Sequence, residues 1–91
     1  MRYVLFGKLN KGLVNRSGRI AASREKLEEL GITLESVFYT QGSYDFVDVI
    51  NAKDPQAALA FSAWYASQGF GEIVSMPAYT TDEYTQALDK L

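Results

Sequence analysis

Cysteine and histidine are both absent from this 91-residue chain, and each absence removes a set of chemistries. Without cysteine there is no disulfide framework, no thiolate metal site and no thiol nucleophile. Without histidine the commonest general base, the commonest metal ligand and the usual axial ligand of a haem are missing. No metal and no resident cofactor are therefore expected, and any catalysis has to rest on carboxylates, tyrosines, lysine, arginine or a borrowed cofactor. A dominant charge is lacking too. The formal net charge is −2 with both signs mixed along the chain, so there is no basic stripe for phosphates and nucleic acid is not an expected partner. No stretch approaches the roughly 20 apolar residues of a membrane span. Residues 1–9 carry one early arginine and no long apolar run, which reads as a strand rather than a signal peptide. A cytoplasmic protein without membrane contact is the expectation.

What remains is enough for one small domain, residues 1–91. Arg2 to Lys8 is short and rich in β-formers, hence a strand. Asn10, Lys11 and Gly12 break it. From about Leu13 to Leu30, apolar residues at Leu13, Ile20, Ala21, Leu27 and Leu30 alternate with charged ones, the pattern of an amphipathic helix ended by Gly31. Thr33 to Gln41 and Tyr44 to Asn51 are strands separated by Gly42 and Ser43, a two-residue link that suits a type II′ hairpin. Asp54 and Pro55 supply the N-cap and first residue of a second helix reaching about Gln68. Gly71 to Tyr79 is the fourth strand, placed at a sheet edge by Pro77. Thr80 with Glu83 forms a capping box for a short C-terminal helix.

The order β-α-β-β-α-β predicts an α+β, ferredoxin-like fold with one antiparallel sheet in the order 4-1-3-2. A two-residue hairpin pairs Tyr39 with Phe46, Val37 with Asp48 and Glu35 with Ile50 on one face. Phe38 with Val47, Ser36 with Val49, Leu34 with Asn51 and Thr40 with Asp45 fall on the other. The second set, β-branched at its middle, is assigned to the side under the helices. The first set, with Tyr44, becomes an open apolar face larger than a soluble monomer usually exposes. A second copy of the chain is expected to cover it, giving a homodimer or higher oligomer. Asp48 then sits at the seam, with Lys8 as its expected partner. The second helix is apolar almost all round, which asks for burial on two sides, by the C-terminal helix or by higher assembly.

At Gly42, Ser43, Tyr44 and Asp45 the chain resembles the GYD domain family, named for a glycine, tyrosine and aspartate at the hairpin. Tyr3-Val4-Leu5, Gly7-Lys8, Lys11-Gly12, Arg19, Glu29-Leu30-Gly31, Tyr44-Asp45-Phe46-Val47 and Ala78-Tyr79-Thr80 with Glu83 carry the likeness across essentially the whole chain. Ser43 separates the glycine from the tyrosine and aspartate. The resemblance implies a dimeric α/β-barrel, in which two ferredoxin-like sheets pack together, and no particular activity. Arg19, Tyr39, Tyr44 and Asp45 are the expected ligand-binding residues, bordering a pocket between sheet and helices. Three functions fit this reading. The first is a ligand-sensing or non-catalytic homo-oligomer that takes a small molecule. The second is a cofactor-independent oxygenase or isomerase with Asp45 or Asp48 as base. The third, a single-stranded RNA binder using Phe6, Tyr44 and Phe46, is opposed by the acidic balance.

Overall fold

The computed structural model describes residues 1–10 and 16–91, with the side chains of residues 16 and 17 outside the description. The expected helix start at Leu13 and the Lys11-Gly12 break therefore lie outside the described residues. The elements are β1 (Arg2–Leu9), α1 (Arg16–Glu29), β2 (Thr33–Tyr39), β3 (Phe46–Asn51), α2 (Pro55–Ser67), β4 (Gly71–Pro77) and α3 (Thr81–Leu88). All strand pairs are antiparallel and the order is β2-β3-β1-β4, the ferredoxin-like arrangement. Pro77 lies on the edge strand β4, opposite Tyr3, where its missing N–H costs no ladder bond. No described helix is long and apolar enough to cross a membrane.

Local signals act as the residue types require. Asp54 accepts the Ala57 N–H at 2.8 Å, with Pro55 beside it at the start of α2. Thr80 and Glu83 cap α3 reciprocally. The hairpin differs from expectation. The Thr40 N–H donates to the Asp45 carbonyl at 2.9 Å and the Thr40 hydroxyl to the Tyr44 carbonyl at 2.7 Å. The Gln41–Tyr44 backbone pair of a two-residue turn is not formed, so residues 41–44 make a four-residue loop. Gly42 has φ 118° there, a conformation that side chains disfavour.

The two sheet faces are the reverse of the sequence assignment. The helices cover Tyr3, Leu5 and Leu9 of β1 and Phe46, Asp48 and Ile50 of β3, all of them buried. Val4, Phe6, Phe38, Val47, Val49, Val74 and Met76 occupy the open face, with Phe38 64 % exposed. Size complementarity decided this, not β-branching. Gly7 lies opposite Phe46, and a Cβ at Gly7 would run into the Phe46 ring. The bare glycine is thus a seat for the largest side chain of β3, which lies buried on the helix side. That ring also meets Tyr65 of α2 edge-on at 5.9 Å. One further difference is a bulge in β2: Leu34 pairs with Ile50 and Ser36 with Val49, leaving Glu35 as the extra residue.

α2 buries Ala57, Ala58, Phe61 and Tyr65 against the sheet. Its other side is not covered by α3, since Leu59 is 67 % exposed and no residue of α3 is buried. The C-terminal helix does not supply the second layer that the composition of α2 suggested.

Candidate functional site

Helix α1 turns Arg19, Ser23 and Leu27 toward the sheet, each one turn from the next. Leu27 packs in the core as an apolar face should. Arg19, only 7 % exposed, is a guanidinium where a leucine would be ordinary. Across from it, Asp48 stands in the middle of β3, 9 % exposed, between Leu5 of β1 and Val37 of β2. Between these groups is a cavity of about 60 Å³. Leu27, Leu34, Val37 and Phe61 form its apolar walls, and Arg19, Ser23, Tyr39, Asp48 and Tyr65 its polar ones.

The polar groups are held but not satisfied. The Arg19 Nη1 donates to the Tyr65 hydroxyl at 3.1 Å, and its guanidinium lies 5.9 Å from the centre of the Phe46 ring. No Arg19 nitrogen comes within 4.0 Å of the Asp48 carboxylate. Among the described residues three buried side-chain atoms lack a hydrogen-bond partner: Arg19 Nη2, Ser23 Oγ and Asp48 Oδ1. All three belong to residues lining this one cavity. Each unpaired buried polar atom costs roughly 1–3 kcal/mol, so their convergence is an expensive arrangement for a purely structural core.

The electrostatics follow from that burial. It pushes the Asp48 carboxyl up to about 6, and the positive charge of Arg19 holds back part of the rise. At Arg19 burial opposes the charge, but the hydroxyls of Tyr65 and Tyr39 outweigh it and raise the pKa above its ordinary value. Burial likewise raises the Tyr65 phenol, against the pull of Arg19. The result is a partly desolvated carboxylate and a firmly charged guanidinium sharing one space without neutralising each other directly.

Of the four residues expected at a ligand, the structure brings Arg19 and Tyr39 to the cavity and leaves Tyr44 and Asp45 outside it. Asp45 works at the strand end. Its N–H donates to the Gly7 carbonyl at 2.7 Å, and its carboxylate accepts the Leu9 N–H at 2.7 Å. Tyr44 packs against Phe6, ring centres 5.2 Å apart, on the side away from the helices. Asp48 was expected at a seam with Lys8; the inverted faces place it under α1 instead, while Lys8 is exposed. Ser23 and Tyr65 were missed. The signal for Ser23 was its spacing, one turn from Arg19 and one from Leu27. For Tyr65 it was a phenol on the buried stripe of α2, where a hydroxyl needs a partner.

Fold and cavity together define a ferredoxin-like α+β domain with a polar-floored pocket between its sheet and first helix. The GYD domain model matches residues 9–88, and the chain belongs to the GYD domain family. No curated protein matches it in sequence. Among solved structures it is similar to 5-chloro-2-hydroxyhydroquinone dehydrochlorinase (TftG) from Burkholderia phenoliruptrix AC1100, in complex with 2,5-dihydroxybenzoquinone. The TM-score is 0.64 at 15 % identity, over 90 % of this chain and 97 % of that one, a likeness of fold.

Proposed function

We propose that this domain binds a small molecule in the cavity beneath α1, and that it does so as a homodimer joined through the open sheet face. The observation that carries the binding reading is the convergence of three unpartnered buried atoms, from Arg19, Ser23 and Asp48, on one space with apolar walls. Natural ligand sites have this composition, a mostly apolar lining with a few convergent polar groups. In this reading Arg19 and Tyr39 are ligand-binding residues together with Asp48, Ser23 and Tyr65, all of them lining the cavity. The dimer reading rests on Val4, Phe6, Phe38, Val47, Val49, Val74 and Met76, a continuous apolar surface across four strands of the kind that soluble chains cover with a second copy.

The dihydroxybenzoquinone held by TftG supplies a first test compound, since it carries hydroxyl and carbonyl groups on a flat ring. A thermal-shift screen of small hydroxylated, carbonyl and carboxylic compounds, that one included, should yield a stabilising ligand for the wild type. Its effect should fall in both Asp48→Asn and Arg19→Gln. Stabilisation unchanged in both variants, or none from any compound, would remove this cavity as the site.

A further inference from the structure

The three unpartnered atoms differ in what they offer. Asp48 Oδ1 is an acceptor when ionised, Arg19 Nη2 is a donor, and Ser23 Oγ–H donates or accepts. The donors come from one face of α1, and the acceptor comes from the sheet opposite. A guest that satisfies all three presents an oxygen acceptor toward α1 and a hydrogen toward β3. An anionic guest would set a second negative charge beside Asp48, and a cationic one would set a second positive charge beside Arg19. A neutral head keeps the balance.

We propose that the cavity is a cofactor-free proton-transfer site for small neutral molecules with an enolisable carbonyl, Asp48 serving as base and Arg19 with Ser23 holding the oxyanion. This rests on the cavity being a ligand site and goes one step further, from binding to chemistry. The carbonyl oxygen accepts from Arg19 Nη2 and Ser23 Oγ–H. Asp48 takes the proton from the adjacent carbon. The C–H electron pair becomes the new C=C bond, and the carbonyl π pair moves onto oxygen as an enolate. The protonated Asp48 then returns the proton, either to the same carbon, which is exchange, or to the far end of a conjugated system, which is isomerisation. Nothing is oxidised or reduced, and no further reactant is consumed.

The surroundings suit both halves of that step. Donors already fixed where charge develops need no reorganisation as it forms. A carboxylate works best as a base when its pKa lies close to the working pH, and burial moves Asp48 in that direction, to about 6. The other titratable groups lining the space are Arg19 and Arg24 from α1, Tyr39 from β2 and Tyr65 from α2, while β1 presents Leu5 beside Asp48. Asp48 is the carboxylate among them, so the rate should rise with pH through about 6.

Cyclohex-3-en-1-one in D₂O is a probe that reads binding and chemistry together. Saturation-transfer NMR reports whether it occupies the protein, and the proton spectrum reports deuterium uptake and conversion to the conjugated 2-enone. The wild type should bind the probe and isomerise it faster than buffer. Asp48→Asn should bind the probe more weakly yet still show saturation transfer, and at saturating probe should lose at least about 100-fold in rate. Arg19→Lys, which retains charge but loses the fork of donors, should slow the reaction as well. A probe that binds without exchanging overturns the proton-transfer step and leaves the binding reading standing. Exchange unaltered in Asp48→Asn overturns the base. A probe that does not bind overturns the enolisable-carbonyl class and leaves the space to ordered water, while the wider thermal-shift screen decides separately whether the cavity takes any ligand.

Discussion

Asp48→Asn should make the folded domain more stable at neutral pH, and the gain should vanish in acid. The folded carboxyl titrates at about 6 against an ordinary value of 3.8. Between those values the folded state holds a proton that the unfolded state has released, so stability falls as pH rises across the window. The wild type therefore has its full stability from this group below about pH 4 and has lost it above about pH 6. At about 1.4 kcal/mol per pH unit, the two-unit gap amounts to roughly 3 kcal/mol at pH 7. Asparagine has nearly the same shape and carries no charge to desolvate, though its amide still needs partners, so a net gain of about 2 kcal/mol is expected. In a domain of this size that is a rise in Tm of roughly 10 °C. Urea unfolding of both proteins from pH 4 to 8, followed by the fluorescence of the single tryptophan, Trp64, isolates the effect of this carboxylate as the difference between them. A difference independent of pH, or one that favours the wild type at pH 7, would refute a desolvated ionised carboxylate at this position.

Two other outcomes separate the structural residues from the site. Asp45→Asn weakens a 2.7 Å charge-assisted bond to the Leu9 N–H, and should cost about 1–2 kcal/mol in urea unfolding while leaving any cavity ligand bound; loss of binding at unchanged stability would return Asp45 to the site. Phe38→Lys puts a charge on the open face, at the most exposed of its apolar side chains, without touching the core, and light scattering should show the wild type at twice the chain mass and the variant at one. A monomeric wild type would remove the sheet-face dimer.

The strand and helix order was legible because each boundary has a local cause. Asp54 with Pro55, Thr80 with Glu83, and the turn residues Gly42 and Ser43 act within a few positions of themselves. The faces were not legible, because one residue of register or one wrong preference inverts every side chain. The β-branched character of Val47 and Val49 pointed to the core, whereas the choice is made by Gly7 and Phe46, which meet only once β1 and β3 are paired. The site inherited that inversion. Arg19 and Tyr39 were legible as neighbours of the cavity, but Asp48 was assigned to a seam, and Asp45, conspicuous in the hairpin motif and expected at a ligand, lies outside the cavity and accepts the Leu9 amide. Ser23 and Tyr65 gain meaning only when α1 and α2 converge over the sheet.

The bulge at Glu35 bears on how such a cavity can change. A regular strand alternates its side chains, so Leu34 could not share a face with Val37 and Tyr39. The extra residue resets the phase, and all three reach the cavity. β2 is an edge strand bonded to β3 alone, so an insertion or deletion there is absorbed without disturbing β1 or β4. One wall of the chamber can thus be re-papered by adding or losing a single codon, while the floor that holds Asp48 and the opposite flank stay in place. A change in the outline of the cavity needs no more than a shifted phase along this outer strand.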